Sequence, residues 1–455
     1  MFAKINFHDE FYQKLKLLVL PITMQQFMLA LVSATDAIML GAVSQTSLSA
    51  VSLAGQIQFV LNLFISGISA GSGIMAAQYW GKKDAASIEE VMPIALRTNL
   101  IFSGAFTVLA AVAPEVLMRI FTSDPALIES GAVYLRAVSL SYLLCGISQI
   151  YLILLKNTGY ATVSSRISCT AVVVNIICNA ILIYGLLGLP ALGIQGAAYA
   201  TVTARLVELV WSYLETKQSG RVQIIWKKMF HAADAVLTKD FWRYTMPVLG
   251  AALVWGIAYV SYSVIMGHMG SDAVAANSIT TIAKNMLSCL IRGVSGGAGV
   301  LIGNLLGAGE LDKAKVYGGR LTRMAIVVGM TTGGLLMLIS PLIVRFAPLS
   351  DTAAEYLQYM LIFCGCNIMA QSVNTTVLDG IFCAGGDSKF DMKGNLGAMW
   401  CFSVPFGFFA AFVLKWPVMV VYCIVNLDEI VKIPAVYLHY KKYIWVRNIT
   451  VQEDA

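Results

Sequence analysis

Asp36 is the residue whose setting most directly indicates chemistry in this 455-residue chain. It lies in an apolar run over residues 17–40, and at 1.5 Å rise per residue it would sit about 6 Å inside the outer end of a helix. A charge at the centre of a bilayer costs about 2.5–3.5 kcal/mol, so such a residue faces protein or water. A carboxylate there is stabilised by a proton or a cation, which makes Asp36 a candidate ion-exchange site. The alternative is a structural carboxylate that accepts hydrogen bonds.

Three further polar residues could complete this site. Asn175 and Asn179 are four residues apart in another apolar run, so both amides point to one face of a helix. Their carbonyl oxygens suit a hard cation such as Na⁺, or could pair with a protonated Asp36. Tyr134 is expected at the same depth, near the outer end of the helix predicted over 133–155. It is either a hydroxyl partner of the site or an interfacial aromatic residue.

Lys284 and Arg292 are further ionisable residues within an apolar run, and Asp379 lies near the inner end of another. A buried cation needs a counter-charge, so Lys284 either forms a structural ion pair or faces a cavity where it selects substrate. Asp379 is a candidate for binding or gating. Arg292 is interpreted as a packing or snorkelling residue.

Two short clusters have the spacing of local ion pairs on a helix. Asp428, Glu429 and Lys432 stand at i, i+1 and i+4, and Arg205 and Glu208 at i and i+3. Local pairing is the simpler interpretation of both.

The sequence contains no motif for an enzyme, a metal centre or a cofactor. The four His (8, 231, 268 and 439) fall in loops or at the ends of runs, and no nucleophile elbow, His-Glu metal motif or phosphate-binding loop is present. The nine Cys lie in or beside apolar runs without zinc-type spacing, which predicts small buried thiols. We therefore expect no cofactor and no bound metal, with Na⁺ possible only as a transported ion at Asp36, Asn175 and Asn179.

The composition predicts an all-α membrane protein. Hydrophobic residues make up 58% and charged residues 12%, about half the charged share of a soluble domain. A membrane helix needs about 20 apolar residues. We count twelve such runs: 17–40, 52–77, 94–118, 133–155, 167–187, 193–214, 244–267, 275–303, 322–344, 354–377, 396–414 and 417–438.

The distribution of Lys and Arg predicts that both termini are cytoplasmic. Of the 31 such residues, Arg205, Lys284 and Arg292 are placed within the membrane. The opposite side carries four: Arg119, Arg136, Arg345 and Lys415. All the others, including Lys4, lie on the N-terminal side. The polar N-terminus, without a small-residue cleavage site, predicts no removable signal peptide. The net charge of +6 is explained by topology, so we expect a bilayer and no nucleic acid as partner.

The two halves of the chain resemble each other at a single constant offset. The shift that brings Pro21 onto Pro247 also brings Gly67 onto Gly293, Gly71 onto Gly297 and Gly159 onto Gly385, and we call this relation the repeat. Six helices per half give parallel repeats around a central cavity, where transporters hold substrates and ions. We predict an N-terminal six-helix lobe over 1–214, a cytoplasmic connector over 215–243 and a C-terminal lobe over 244–455.

Several motifs, in order, resemble the multidrug and toxic-compound extrusion (MATE) family. The segment from Pro21 to Ala34-Thr-Asp36-Ala-Ile-Met-Leu-Gly41 is similar to its opening helix. The others are Gln78-x2-Gly81-Lys-Lys-Asp84, Asn175-x3-Asn179, Gly193-x2-Gly196-Ala-Ala-x-Ala-Thr201 and Gly385-Gly-Asp387. The similarity runs from about residue 15 to 447.

The resemblance implies an antiporter that exports amphipathic, usually cationic, compounds in exchange for inward H⁺ or Na⁺, with Asp36 in the coupling site. The chain departs from the family in two places: Asn179 stands where an aspartate is common, and 247–267 carries no acidic residue. We expect the substrate cavity to be lined by Lys284, Tyr262, Trp255, Gln58 and Asp379, where Tyr262 is the repeat partner of Asp36 and Lys284 that of Gln58.

We therefore expect a monomeric multi-pass transporter of the cytoplasmic membrane, alternating access between two lobes. The alternative is a flippase for a lipid-linked sugar or lipid. The general sugar and drug facilitators also have two six-helix halves, but their Gly-x3-Asp-Arg loop is replaced here by Gln78-Tyr-Trp-Gly-Lys-Lys-Asp84. An intramembrane enzyme, a receptor or a scaffold is less consistent with a duplication that embeds ionisable residues.

Overall fold

A computed structural model describes residues 9–230, 234–347 and 349–451. In these ranges the chain forms helices and connecting turns only, which confirms the predicted all-α class. Three residues of the sequence analysis lie outside the described residues: Lys4, His8 and His231. The N-terminal segment that predicted the lack of a signal peptide lies partly outside them.

Twelve helical segments, here labelled α1 to α12, follow one another through the described part of the chain, and each overlaps one of the predicted apolar runs. The end of the run 94–118 forms a separate short helix, Pro114–Arg119. Their bounds are α1 Glu10–Val43, α2 Gln45–Gly81, α3 Ala85–Val112, α4 Pro125–Leu155, α5 Ala161–Tyr184, α6 Ile194–Thr216, α7 Ala235–Gly267, α8 Ser271–Gly307, α9 Leu311–Phe346, α10 Asp351–Thr375, α11 Ser388–Val413, and α12 in two pieces, Val418–Val425 and Asp428–Tyr440.

Ten of the described helices are long and apolar enough to cross a membrane by length and composition alone. The other two segments, α6 and α12, are the sixth of each half. α6 carries Arg205 and Glu208, and α12 is interrupted before Asp428 and carries three charged residues. Charged groups are tolerated at membrane depth only where protein surrounds them, so these two helices pack with the others of their half as the twelve-helix prediction requires.

The repeat is also visible in the local geometry. After α4 and after α10 the chain makes a wider, π-type turn, over Lys156–Tyr160 and Thr376–Phe382. Under the repeat, Lys156 falls on Phe382, so the first turn begins at the position where the second one ends. Such turns interrupt the regular hydrogen-bond ladder and are frequent at functional positions.

The contacts divide the chain into two compact units. The N-terminal unit comprises Met24–Trp80 and Asp84–Leu249. The C-terminal unit comprises the residues up to Thr23, Gly81–Lys83 and Gly250 onward. The first part of α7 therefore belongs to the N-terminal unit and the first part of α1 to the C-terminal unit. These units differ from the predicted division into 1–214, 215–243 and 244–455 at residues 9–23, 81–83 and 215–249.

Close helix contacts at glycine explain these unit boundaries. In the N-terminal unit, a Cβ on Gly71 would lie 2.7 Å from the Cα of Thr245 on α7. In the C-terminal unit, a Cβ on Gly297 would lie 3.0 Å from Val19 Cγ2 on α1. The two contacts are equivalent under the repeat. Small residues let helix backbones approach closely where no hydrophobic force acts between helices. Gly71 therefore allows the first part of α7 to pack closely, and Gly297 does the same for the first part of α1.

The segment after α12 packs on the C-terminal unit. Trp445 is fully buried there. Asn448 Nδ2 donates to the Gly307 carbonyl at 3.3 Å, and Lys82 Nζ donates to the Thr450 carbonyl at 3.2 Å. His439 at the end of α12 pairs with Asp387 at 2.6 Å. The Gly385-Gly-Asp387 motif thus contacts His439 and Trp445.

Gly71→Ala is predicted to destabilise the protein. The new methyl group would overlap the Thr245 backbone, and overpacking of this kind costs about 1–3 kcal/mol. Thermal unfolding of the purified protein in detergent should occur at a lower temperature. Gly104→Ala in α3 is the matched control, because nothing lies within 4 Å of its Cβ position and alanine favours a helix. Equal unfolding temperatures for the two variants would contradict a close packing contact between Gly71 and α7.

Candidate functional site

The structure joins Asp36 to α5 within the N-terminal unit. Asp36 is half-buried in α1, and its Oδ1 accepts a hydrogen bond of 2.5 Å from Nδ2 of Asn179. Asn179 itself is 1% exposed. The contact links residues that are 143 positions apart, and it places the strongest candidate of the sequence analysis beside its predicted amide partner.

The second amide extends this contact to α6. Asn179 Nδ2 also donates to Asn175 Oδ1 at 3.1 Å, as expected for residues one helical turn apart. Asn175 Nδ2 lies 3.5 Å from Thr201 Oγ1, whose hydroxyl donates to the Ala197 carbonyl at 3.0 Å. Thr201 was noted only as part of a motif, and its spacing from Ala197 gave no sign that it would complete the chain of hydrogen bonds.

One buried oxygen of the site accepts no hydrogen bond among the described residues. Asn179 Oδ1 is buried and accepts no hydrogen bond among the described residues. A buried acceptor without a donor costs about 1–3 kcal/mol, so a proton donor or a cation at this atom would be stabilising. Carboxylate and amide oxygens, such as those of Asp36 and Asn179, are the kinds of ligand that a hard cation prefers.

Tyr134 lies close to this group. Its ring is buried in the same apolar cluster as Leu40, Ile183 and Ala197. These three residues lie one helical turn from Asp36, Asn179 and Thr201 respectively. The Tyr134 hydroxyl is within electrostatic reach of Asp36. The Tyr134 ring therefore packs against the helices that hold the site, and its role as a hydroxyl partner stays a prediction.

A second polar group of the N-terminal unit is balanced in charge. Arg205 Nη1 donates to Glu208 Oε2 at 2.8 Å, which confirms the predicted local ion pair. Ser148 Oγ donates to the same carboxylate at 3.0 Å and Ser168 Oγ at 3.4 Å. Gln25 Nε2 donates to Ser168 at 2.8 Å, so the pair is tied to α1 as well.

The C-terminal unit holds a larger buried polar group, centred on α12. Lys432 Nζ lies 3.0 Å from Glu429 Oε1 and 3.5 Å from Asp428 Oδ2, as the spacing predicted. It also donates to Asn395 Oδ1 at 3.1 Å, and Asn395 Nδ2 donates to Asp391 Oδ1 at 3.0 Å. Asp391 and Asn395 were not predicted, because they lie in a polar stretch that was assigned to a loop.

The residues predicted to line a substrate cavity lie in different places. Lys284 is half-buried and within electrostatic reach of Asp428 and Glu429. The Tyr262 hydroxyl is buried and close to Asp428 and Ser403. Asp379 is exposed and near Asp391 and Arg292. All of these belong to the C-terminal unit.

Trp255 and Gln58 complete that set of predictions. Trp255 in α7 is exposed and stacks on Tyr259, with ring centroids 5.5 Å apart. Gln58 is half-buried in α2 of the N-terminal unit. Contact of these residues with a substrate stays a prediction.

Comparison with known proteins identifies the family. The MatE family model matches residues 21–181 and again residues 247–409. The chain belongs to the MatE family. The two matches begin at Pro21 and at Pro247, the residues that the repeat superposes, so each half of the chain is one copy of the family's unit and the predicted duplication is confirmed.

Individual relatives are similar to this chain over nearly its full length. The transporter YisQ of Bacillus subtilis (strain 168) is 23% identical over 91% of this chain and 90% of its own length. The multidrug resistance protein NorM of Burkholderia vietnamiensis is 25% identical over 87% and 86%. The solved structure of a MOP superfamily transporter from Pyrococcus furiosus superposes with a TM-score of 0.86 at 18% identity, over 95% of both chains. The chain therefore has the fold of a multi-pass membrane transporter.

Asn179→Asp is predicted to convert the site into a stronger Na⁺ site. Two adjacent carboxylates disfavour joint ionisation, and a cation between them removes that cost. We expect Na⁺ to bind about tenfold more tightly than in the wild type, a difference of about 1.4 kcal/mol. The measurement is the rise in unfolding temperature with Na⁺ at alkaline pH, with choline as the control cation. Asn179→Ala should show no such gain, and an identical Na⁺ dependence in Asn179→Asp and the wild type would contradict the placement of the two side chains.

Proposed function

We propose that the protein is a secondary antiporter of the cytoplasmic membrane, with both termini in the cytoplasm, that exports amphipathic organic compounds in exchange for inward H⁺ or Na⁺. The observation that carries the proposal is Asp36, a carboxylate in an apolar helix, bonded to Asn179 and beside an amide oxygen without a partner. Such a group must change its bonding whenever it gains or loses a positive charge. Membership of the MatE family and likeness to multidrug resistance proteins support drugs or related metabolites as cargo.

The Asp36–Asn179 pair can accommodate both states of a proton exchange. With Asp36 ionised, Asn179 Nδ2 donates to the carboxylate. With Asp36 protonated, its hydroxyl can donate to Asn179 Oδ1 once the amide rotates by half a turn, because a primary amide carries both a donor and an acceptor. The rotation would also alter the bond from Asn179 to Asn175. Occupancy of Asp36 on α1 is thereby communicated to α5.

A sodium ion would use the same atoms differently. The Asp36 carboxylate and Asn179 Oδ1, after rotation of the amide, would bind it. The Thr201 hydroxyl, 3.5 Å from Asn175 Nδ2, and the Tyr134 hydroxyl are further oxygen ligands in this proposal. A single carboxylate with neutral ligands balances one monovalent ion. The site therefore suits one H⁺ or one Na⁺ for each transport cycle.

Asp36→Asn is predicted to abolish ion-driven export. An amide keeps the size of the side chain but cannot carry an exchangeable proton or balance a cation. Protein in liposomes should release an amphipathic fluorescent compound such as ethidium after a pH jump or a Na⁺ jump in the wild type, and not in Asp36→Asn. Glu129→Gln, which neutralises an exposed carboxylate at the start of α4, is the matched control. Flux in Asp36→Asn equal to that of the wild type would contradict the coupling role, and comparison of the two jumps identifies the ion.

A further inference from the structure

A second set of hydrogen bonds joins α1 to the other helices of the N-terminal unit, three turns along α1 from Asp36. Gln25 Nε2 on α1 donates to Ser168 Oγ on α5 at 2.8 Å. Ser168 Oγ donates to Glu208 Oε1 on α6 at 3.4 Å, and Ser148 Oγ on α4 donates to Glu208 Oε2 at 3.0 Å. We call these four residues the Gln25 group. The residues of the candidate ion site lie on the same four helices, in the order α1, α4, α5 and α6: Asp36, Tyr134, Asn179 and Thr201.

The two groups show that α1 and α5 run side by side in one constant register. The bond from Gln25 to Ser168 and the bond from Asn179 to Asp36 each join residues that are 143 positions apart. At 1.5 Å rise per residue, the two contacts are about 16.5 Å apart on both helices. A slip of α1 by one residue would turn each of its side chains by about 100° and break both bonds. The two contacts therefore depend on the same register.

The Gln25 contact lies where α1 enters the N-terminal unit. That unit begins at Met24, so Gln25 is its second residue on α1. The far end of α1 is held to α5 as well, since the Tyr184 hydroxyl donates to the Met39 carbonyl at 3.0 Å. Asp36 thus lies between two further contacts with the same helix.

The charge of the Gln25 group is balanced within the group's own surroundings. Arg205 Nη1 donates to Glu208 Oε2 at 2.8 Å, and Glu208 is 2% exposed. The Cys145 thiol is a titratable neighbour of this pair. A buried ion pair whose carboxylate oxygens also have hydroxyl donors has no need of another ion. The Gln25 group is therefore a fixed point against which Asp36 is held.

The repeat shows that this group accompanies the ion site and not the shared helix packing. Three of its four residues have repeat partners without a polar side-chain atom: Gln25 corresponds to Ala251, Ser168 to Gly394 and Glu208 to Pro434. Only Ser148 has a polar partner, Asn374. Asp36 is likewise confined to the first half, where the glycine contacts are present in both. A contact needed only for the fold would be expected in both halves.

We infer that Gln25, acting through Ser168 and Glu208, is a positioning residue for Asp36. It fixes the register of α1 on α5 and so holds the Asp36 carboxylate against the Asn179 amide. A hydrogen bond weakens steeply when its angle or length departs from the optimum, so a small shift of α1 is sufficient to change the site. Gln25 itself does not contact Asp36 or a transported ion. The inference rests on the proposed antiport only for the use of Asp36 in ion exchange.

Infrared titration of the Asp36 carboxyl, in lipid nanodiscs, tests the inference. The spectrum of each protein minus that of its Asp36→Asn counterpart isolates this band. Gln25→Met keeps the length of the side chain and removes the donor. Because Asn179 donates to the ionised carboxylate, a misplaced Asp36 should hold its proton more tightly. We expect the midpoint of the titration to move by about one pH unit to higher pH, a tenfold gain in proton affinity.

Gln26→Met is the matched control for this substitution. Gln26 is the adjacent residue, is half-buried like Gln25 and makes no hydrogen bond among the described residues. Its replacement should leave the midpoint unchanged. The groups nearest Asp36 are the same in all these proteins: the titratable Tyr134 hydroxyl and the neutral side chains of Asn175, Asn179 and Thr201.

A second comparison separates positioning from a general loss of stability. Asn179→Ala removes the donor itself, so it should also move the midpoint to higher pH. Adding Gln25→Met to Asn179→Ala should cause no further shift, because Gln25 acts through the bond that is already missing. Ser168→Ala removes the acceptor of the Gln25 amide with little loss of volume. It should reproduce the shift of Gln25→Met, and the two changes together should not exceed either alone.

Thermal unfolding gives a measurement of the same bond that does not depend on a titration. If Gln25→Met has already weakened the contact between Asp36 and Asn179, Asn179→Ala should lower the unfolding temperature less in that variant than in the wild type. The same comparison made with Gln26→Met should show the full effect of Asn179→Ala.

The inference is overturned if Gln25→Met and Ser168→Ala lower the unfolding temperature but leave the Asp36 midpoint at its wild-type value. It is also overturned if Gln25→Met shifts the midpoint equally with and without Asn179, since Gln25 would then act by another route. Should Gln25→Met not fold, Ser168→Ala alone decides between these outcomes. Export by Asp36→Asn is measured separately, so the proposed antiport can fail while the positioning of Asp36 by Gln25 stands, and the reverse.

Discussion

The cost of an unbalanced charge in apolar surroundings is the constraint on which most of this structure depends. A buried carboxylate must find a proton, a cation or a sufficient number of donors. Glu208 meets this requirement with Arg205 and two serines, and its charge is fixed. Asp36 has an amide and a half-exposed setting, which leaves its charge exchangeable. The same physical requirement thus produces a structural group in one place and a candidate coupling site a few turns away.

The two halves of the chain share their helix packing but differ in their buried polar residues. Glycines that seat α7 in the N-terminal unit have repeat partners that seat α1 in the C-terminal unit, because close backbone approach leaves no room for a side chain. The polar and charged side chains of the helices carry no such geometric restriction, and they differ between the two halves. Asp36 corresponds to Tyr262, and Ser148, which donates to Glu208, corresponds to Asn374, which donates to Glu429. Packing preserves the fold, while the buried charges differ between the halves.

Much of the fold could be predicted from the sequence. Apolar runs indicate the membrane helices, and glycines that the repeat superposes indicate where helices pack closely. Asp36 and Asn179 could also be selected, because a polar residue in an apolar run is conspicuous. Their pairing across 143 positions could not, since spacing along one helix contains no information about which helix lies beside it. Asp391 was missed because its charged neighbours make the segment resemble a loop, whereas α11 already begins at Ser388 and Asp391 turns inward to meet Asn395. Hydropathy averages over a window and cannot distinguish one buried carboxylate in a polar turn.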